Sequence, residues 1–206
     1  MDIPRRPPYT SLMGIQEEKK QLRAHMRQIL ASTPADERLK ASQTIMGMLQ
    51  SLPAWKTAPV VLAFLPLPTE VDLRPLLDTA LAEGKLVALP RCQPDNNLSF
   101  HQIHAGYQCA VCTGPYSLQE PPQAWPEIDP STLPAGSLML VPGLAFTSTG
   151  SRLGKGKGYY DRLLAGIPSR IFTIGVCFNQ QLLEHIPNNE RDKPVGQVVT
   201  ERQMYG

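Results

Sequence analysis

The chain has 206 residues, of which 42% are hydrophobic, and a formal net charge of +2. This length favours a single domain, and so small a charge is insufficient to indicate a surface built to coat nucleic acid. Four cysteines without an apolar leader indicate a reducing cytoplasm and not a secreted disulfide scaffold. No apolar run approaches the roughly 18 residues that a bilayer-spanning helix needs. We therefore expect neither a nucleic-acid partner nor a membrane partner.

The N-terminal part divides into a tail and a helix. Residues 1–14, MDIPRRPPYTSLMG, are polar and broken by prolines, which predicts a flexible tail ahead of one domain at 15–206. Apolar residues then recur at helical spacing, which predicts an amphipathic helix over 15–31. At 100° per residue, Lys19 and Arg23 fall together on the edge of its buried stripe.

A second helix is predicted to run to about Gln50. Thr33 can cap this helix, Pro34 suits the first helical position, and Asp36 suits the positive first turn.

The middle of the chain alternates between predicted strands and helices. The apolar run PVVLAFLPL at 59–67 is typical of a strand buried on both faces. A helix over 72–83, ended by Gly84, leads to a strand at 85–90. Further strands are predicted at 98–103, 137–141, 170–178 and 195–200. This alternation predicts an α/β fold, with three layers (α/β/α) and a mostly parallel sheet.

The segment at 104–136 shows no period, and six of its residues between Pro115 and Pro134 are prolines. Because proline cannot donate to a ladder, we expect no regular strand pairing there. An irregular connection of this length in a compact domain is more often functional or wrapping than idle.

The stretch GSRLGKGKGYYDR at 150–162 concentrates glycine and positive charge between a predicted strand and a predicted helix. Arg152, Lys155, Lys157 and Arg162 face Asp161 as the one carboxylate. Backbone N–H groups and a helix N-terminus attract phosphate in this arrangement. The glycine spacing fits neither the Walker motif nor the dinucleotide fingerprint. An anionic ligand is favoured, and a solvated surface turn is the alternative.

Other motifs are weaker. Cys109 and Cys112 have metal-type spacing but lack a second close pair, which disfavours zinc. Cys177 lies in an apolar strand and is predicted to be buried. The absence of a G-x-S-x-G elbow disfavours a serine hydrolase.

The longer stretch PGLAFTSTGSRLGKGKGYYDR resembles the signature of the 5-formyltetrahydrofolate cyclo-ligase family. Further blocks resemble that family in the same order along residues 16–202, namely KKQLR, FLPLPTEVDLRPLL, VALPR, YSLQEP and ERDKPVGQVVTE.

The resemblance implies a cytoplasmic enzyme of the sugar-isomerase and CoA-transferase fold type, either a monomer or a weak homodimer. It would use ATP and Mg²⁺ to convert 5-formyltetrahydrofolate, in its polyglutamylated forms, into 5,10-methenyltetrahydrofolate with release of ADP and phosphate. The implied chemistry is phosphoryl activation of the formyl oxygen, which requires positioning and charge neutralisation more than a protein nucleophile.

The resemblance also implies roles for individual residues. The implied catalytic residues are Arg152, Lys155, Lys157 and Tyr159. The implied ATP contacts are Lys19, Arg23, Arg152, Gly154, Lys155, Gly156, Lys157, Gly158, Tyr159 and Tyr160. The implied substrate contacts are Leu65, Glu70, Lys155, Gly156, Lys157, Gly158 and Tyr159. Asp161 and Asp192 match positions associated with magnesium, which suits a hard cation held by carboxylates and phosphate oxygens.

Two positions depart from the family pattern. Thr147 and Gly196 stand where many members carry acidic residues, which weakens the implied polar contacts there. Two alternatives therefore stay open: a non-catalytic nucleotide or RNA binder, and a relative that kept the phosphate grip but changed its substrate.

Overall fold

The computed structural model describes residues 14–206. The tail predicted at 1–14 lies outside these residues except for Gly14, and the single-domain organisation stays a prediction. The helices are α1 Ile15–Ser32, α2 Ala35–Ser51, α3 Pro53–Thr57, α4 Arg74–Ala82 and α5 Tyr159–Gly166. The strands are β1 Val60–Leu62, β2 Leu86–Cys92, β3 Leu98–Ile103, β4 Cys112–Thr113, β5 Gln119–Glu120, β6 Glu127–Ile128, β7 Leu138–Val141, β8 Ala145–Phe146, β9 Arg152–Leu153, β10 Phe172–Val176, β11 Gln197–Val199 and β12 Met204–Tyr205.

Eight of these strands form one sheet in the order β12-β11-β10-β7-β1-β2-β3-β6. The strands from β11 to β2 in this order pair in parallel, whereas β12, β3 and β6 join antiparallel. Parallel strands need crossover connections that place helices on the sheet faces. The prediction of a mostly parallel α/β sheet is confirmed.

Alternate residues of the central strands point into two separate hydrophobic clusters. In β1, Val61 packs in one cluster with residues of α1, α2 and α4, while Val60 and Leu62 pack in the other with Leu163 and Leu164 of α5. This period of two is the geometry of a strand buried on both faces. The helices therefore cover both faces, which makes three layers as predicted.

The strand predicted at 59–67 is too long, because pairing in β1 stops at Leu62. One further hydrogen bond, in which Ala63 N donates to Ala88 O at 3.0 Å, extends the ladder past Leu62. The chain then reaches Pro66 and Pro68, which have no N–H to donate. The residues that follow β1 are thus free to form a loop at the carboxyl edge of the sheet, where open α/β folds bind ligands.

Two other predictions need correction. Thr33 does not cap α2, because its Oγ1 donates to Ile29 O at the end of α1. Pro34 does not take the first helical position either: it is the residue before the helix, which begins at Ala35 without a side-chain cap. The segment at 104–136 also does contain pairing, because β4 pairs with β5 and β6 adds an edge strand beside β3. These strands have two residues each, so the prolines shorten the ladders without preventing them.

Within residues 14–206, none of the helices combines the length and the apolar character needed to cross a bilayer.

The basic stretch at 150–162 begins in the turn of the hairpin β8–β9, and this turn is hydrogen-bonded to Val195, which lies outside the hairpin. Gly150 N donates to Thr147 O at 3.0 Å, and Val195 N donates to Gly150 O at 3.0 Å. Gly150 has φ +85°, and a Cβ there would stand 2.1 Å from Val195 O. Only glycine fits, because both the backbone angle and the neighbouring carbonyl exclude a side chain.

We expect Gly150→Ala to lower the free energy of unfolding by about 2–4 kcal/mol, the sum of left-handed strain and overlap with a backbone oxygen. Urea unfolding of both proteins measures the change. Gly47→Ala is the matched control, because a Cβ at Gly47 meets nothing within 4 Å. Equal midpoints for Gly150→Ala and the control would contradict this account of the turn.

Candidate functional site

The loop at 152–158, called here the basic loop, forms a wall between two cavities. On one side lies a cavity of about 390 Å³, the apolar cavity, and on the other lies a cavity of about 560 Å³, the charged cavity. The residues that border both are Arg152, Gly154, Lys157, Gly158 and Asp161. A group at this wall can therefore contact ligands in both cavities.

The apolar cavity opens at the carboxyl end of β1. Leu65 and Glu70 line it, together with Lys155 of the basic loop. Glu70 accepts a hydrogen bond from Leu67 N at 2.9 Å, and Lys155 Nζ lies 2.6 Å from its Oε1. The side chain of Glu70 is 9% exposed. The structure thus brings six of the seven predicted substrate contacts to this cavity, since Lys157, Gly158 and Tyr159 line it too, whereas Gly156 lines the charged cavity. The cavity also provides a nearly buried carboxylate that can accept hydrogen bonds in an apolar surrounding.

The charged cavity is lined by seven cationic and three acidic side chains, which favours an anionic ligand. Lys19 is buried and forms an ion pair with Asp192, which also accepts a hydrogen bond from Asn189 N at 2.6 Å. Arg23 Nε donates to Gly154 O at 2.9 Å. Burial, followed by repulsion from Arg27, lowers the pKa of Arg23 from its usual value.

Lys19 and Arg23 therefore lie side by side, as the helical spacing predicts, and both face this cavity.

Arg152 and Asp161 join the start of the basic loop to the first turn of α5. Arg152 Nη2 donates to Asp161 Oδ1 at 2.7 Å, and the Arg152 side chain is 4% exposed. Its guanidinium carbon lies 5.7 Å from the ring centroid of Tyr160. Burial raises the pKa of Tyr160, and the buried hydroxyl has no hydrogen-bond partner within the described residues. A neutral phenol at this place can donate to a ligand.

Asp161 and Asp192, the predicted magnesium ligands, both border the charged cavity. Each carboxylate already binds a cationic side chain, Arg152 and Lys19 respectively. Among residues 14–206 there is no cluster of three or more His, Cys, Asp or Glu side chains able to hold a metal ion. This oxygen donor set fits Mg²⁺ bound through one or two carboxylates together with ligand phosphates, and it does not fit an all-protein cage.

Several residues of the apolar cavity were missed by the sequence reasoning. Cys92 lies at the end of β2, while Tyr116 and Glu120 come from the proline-rich segment. Lys157 Nζ of the basic loop lies 5.1 Å from the ring centroid of Tyr116. No period connects these positions in sequence. The block YSLQEP, which contains Tyr116 and Glu120, was the one available signal.

The two positions that depart from the family pattern lie outside both cavities. Thr147 Oγ1 accepts a hydrogen bond from Ser151 N at 3.1 Å inside the β8–β9 turn. Gly196 N donates to Thr173 Oγ1 at 2.8 Å beside the sheet. These departures therefore remove no group from the lining of either cavity.

Comparison with known proteins agrees with this geometry. The model of the 5-formyltetrahydrofolate cyclo-ligase family matches residues 15–201. The 5-formyltetrahydrofolate cyclo-ligase of Mycolicibacterium smegmatis is 30% identical over 88% of this chain and 93% of its own. The enzyme of the same name from Escherichia coli K12 is 30% identical over 85% of this chain and 95% of its own. The solved 5,10-methenyltetrahydrofolate synthetase of Aquifex aeolicus has a TM-score of 0.78 and 32% identity, with 91% of each chain covered.

We expect the thiol of Cys92 to react slowly although it is only partly buried. Burial, and then hydrogen bonding to Glu120, raises its pKa to about 11, so the unreactive thiol form dominates below that pH. Iodoacetamide labelling of the folded protein at pH 8, followed by mass spectrometry, should modify Cys92 at least about tenfold more slowly than the exposed Cys109. Equal rates in urea serve as the control, and equal rates in the folded protein would contradict the assignment.

Proposed function

The chain belongs to the 5-formyltetrahydrofolate cyclo-ligase family, whose members are ligases, and on that premise we propose that it converts 5-formyltetrahydrofolate into 5,10-methenyltetrahydrofolate at the expense of ATP. The observation that carries this proposal is the wall that the basic loop forms between an apolar and a charged cavity. A reaction between a substrate with a flat ring system and a polyanionic nucleotide needs such a shared border.

The apolar cavity is the proposed folate site. Glu70 would accept hydrogen bonds from pterin N–H groups, and Leu65 would pack on the ring. Lys155 already lies against Glu70, so its ammonium balances the charge of that carboxylate while the carboxylate faces the substrate. The remaining proposed contacts, Gly156, Lys157, Gly158 and Tyr159, belong to or directly follow the basic loop.

The charged cavity is the proposed triphosphate site. Lys19 and Arg23 would contact the nucleotide from α1, and Arg152 and Lys157 would contact it from the shared border. Glycines at 154, 156 and 158 allow the backbone to approach phosphate closely. The other ATP contacts that the resemblance implies, Lys155, Tyr159 and Tyr160, line the apolar cavity and not the charged cavity. Asp161 and Asp192 would hold Mg²⁺, which when bound neutralises phosphate charge.

The proposed reaction has two steps. The formyl oxygen attacks the γ-phosphorus, and the bond from that phosphorus to the ADP oxygen breaks. N10 then forms a bond to the formyl carbon and loses its proton, while the carbon–oxygen bond breaks and phosphate leaves. Arg152, Lys155 and Lys157 would stabilise negative charge as it moves between the two oxygens. Tyr159 would orient the substrate, since desolvation raises its pKa to about 12 and the phenol stays a hydrogen-bond donor at neutral pH.

Membership of a ligase family removes the alternative of a non-catalytic nucleotide or RNA binder. The alternative of a changed substrate loses its support, because Thr147 and Gly196 line neither cavity. Use of polyglutamylated substrate, a monomeric or weakly dimeric state and a cytoplasmic location stay predictions.

A turnover assay tests the proposal. Purified protein with 5-formyltetrahydrofolate and Mg-ATP should produce the absorbance of the methenyl product, and absence of product at high enzyme concentration would refute the proposed activity.

Lys157→Ala should lower kcat/KM on the order of 10²–10³-fold, because a cation at the transferring phosphoryl group is lost. The control is Lys20→Ala on α1, an exposed lysine outside both cavities.

A second prediction concerns magnesium. Asp161→Asn should raise the Mg²⁺ concentration that gives half-maximal rate by about tenfold, because an amide oxygen binds a hard cation less strongly than a carboxylate. The amide oxygen can still accept the bond from Arg152, but the buried guanidinium loses its counter-charge, so the unfolding midpoint should fall as well. A magnesium titration that matches the wild type would contradict the metal role of Asp161.

A further inference from the structure

The second wall of the apolar cavity is a small hairpin, defined by β4, β5 and the residues between them. Tyr116, Leu118, Gln119 and Glu120 line the cavity from this hairpin. Tyr116 and Ser117 have φ of 60° and 58°, in the left-handed region that non-glycine residues rarely adopt. Such a conformation persists only where surrounding contacts determine it. The hairpin therefore needs an external attachment.

Glu120 provides that attachment. The residue is 1% exposed, and its Oε1 accepts a hydrogen bond from Cys92 N at 2.9 Å. Its Oε2 lies 3.5 Å from Arg91 Nη1, which also donates to Pro121 O at 3.0 Å. One buried carboxylate thus joins the end of the hairpin to the end of β2.

Gly114, at the opposite side of the hairpin, leaves space for this carboxylate. A Cβ at Gly114 would stand 2.3 Å from Glu120 Cδ. The backbone of Gly114 has φ −91°, which any residue adopts. The constraint on Gly114 is therefore the Glu120 side chain and not the backbone conformation.

The contacts of Glu120 and the hairpin extend toward the proposed catalytic residues of the basic loop. Cys92, whose N–H donates to Glu120, lines the apolar cavity together with Tyr116 and Tyr159. The ring of Tyr116 lies 5.1 Å from Lys157 Nζ of the basic loop. Displacement of the Glu120 carboxylate would consequently move the hairpin, and with it the Tyr116 ring on the apolar side of the basic loop.

We propose that Glu120 is a positioning residue for folate binding, which acts through the hairpin and the end of β2 at Cys92 and not on the reacting atoms. The inference rests on the proposed function, because it assigns the apolar cavity to the folate. None of the Glu120 contacts reaches the charged cavity. Its loss should therefore affect the two substrates unequally.

The kinetic test compares Glu120→Ala, Glu120→Gln and the exposed control Glu127→Ala. We expect Glu120→Ala to raise KM for 5-formyltetrahydrofolate roughly tenfold or more, while KM for ATP stays within about twofold. The reason is that the lost hydrogen bond, from Cys92 N to the buried Glu120 carboxylate, lies at the apolar cavity and not at the charged cavity. Glu120→Gln should recover part of the loss, since its amide oxygen can still accept from Cys92 N. Equal increases in both KM values, or a lower unfolding midpoint with both KM values unchanged, would overturn the proposal.

A double-mutant cycle gives an independent test. Gly114→Ala should raise the folate KM in the wild-type background, but it should have little further effect in Glu120→Ala, where the colliding carboxylate is gone. Gly47→Ala is the glycine control. Additive effects of the two substitutions would overturn the proposal.

These measurements also separate two failures. A wild type without turnover refutes the proposed function. An active wild type whose KM for 5-formyltetrahydrofolate is unchanged by Glu120→Ala refutes only the role of Glu120.

Discussion

The arrangement of the site depends on the ion pair between Arg152 and Asp161. Arg152 begins the basic loop and Asp161 lies in the first turn of α5, so their 2.7 Å contact fixes the loop to the helix that follows it. Both residues border both cavities. A buried ion pair contributes little net stability, because desolvation offsets its attraction, but the loss of one partner leaves an uncompensated charge. The main role of the pair is therefore to position the Arg152 guanidinium and not to stabilise the fold.

The same balance of charges recurs around the site. Lys19 is neutralised by Asp192 and Lys155 by Glu70, so the buried charge of each pair, Lys19 in one and Glu70 in the other, has an opposite charge beside it. These pairs lower the cost of burying the charges before a ligand arrives. An incoming triphosphate can then share cations whose positions are already set, which is the preorganisation on which phosphoryl transfer depends.

Sequence reasoning succeeded where one local element carries the information. Lys19 and Arg23 share a helix, so their spacing alone predicts that they lie together, and the basic loop is recognisable from its glycines and its flanking elements. It failed where distant segments meet. Asp192 lies 173 residues from Lys19, and Glu120 reaches Cys92 from a segment without periodicity. The length of β1 was overestimated because its apolar run continues past the point where prolines end the ladder.

The backbone of the basic loop is held at both ends, whereas at its centre the contact is made by the Lys155 side chain, which pairs with Glu70. Arg23 Nε donates to Gly154 O, and Arg162 Nη2 donates to Lys157 O at 2.9 Å, so two guanidinium groups hold backbone carbonyls at either end. Lys155 and Gly156 between these anchors are exposed. Because Gly156 has φ +108° and no side chain, the central residues can change conformation without disturbing the anchored carbonyls. The loop therefore combines fixed positions for Arg152 and Asp161 with a central segment able to adjust to the phosphates that it contacts.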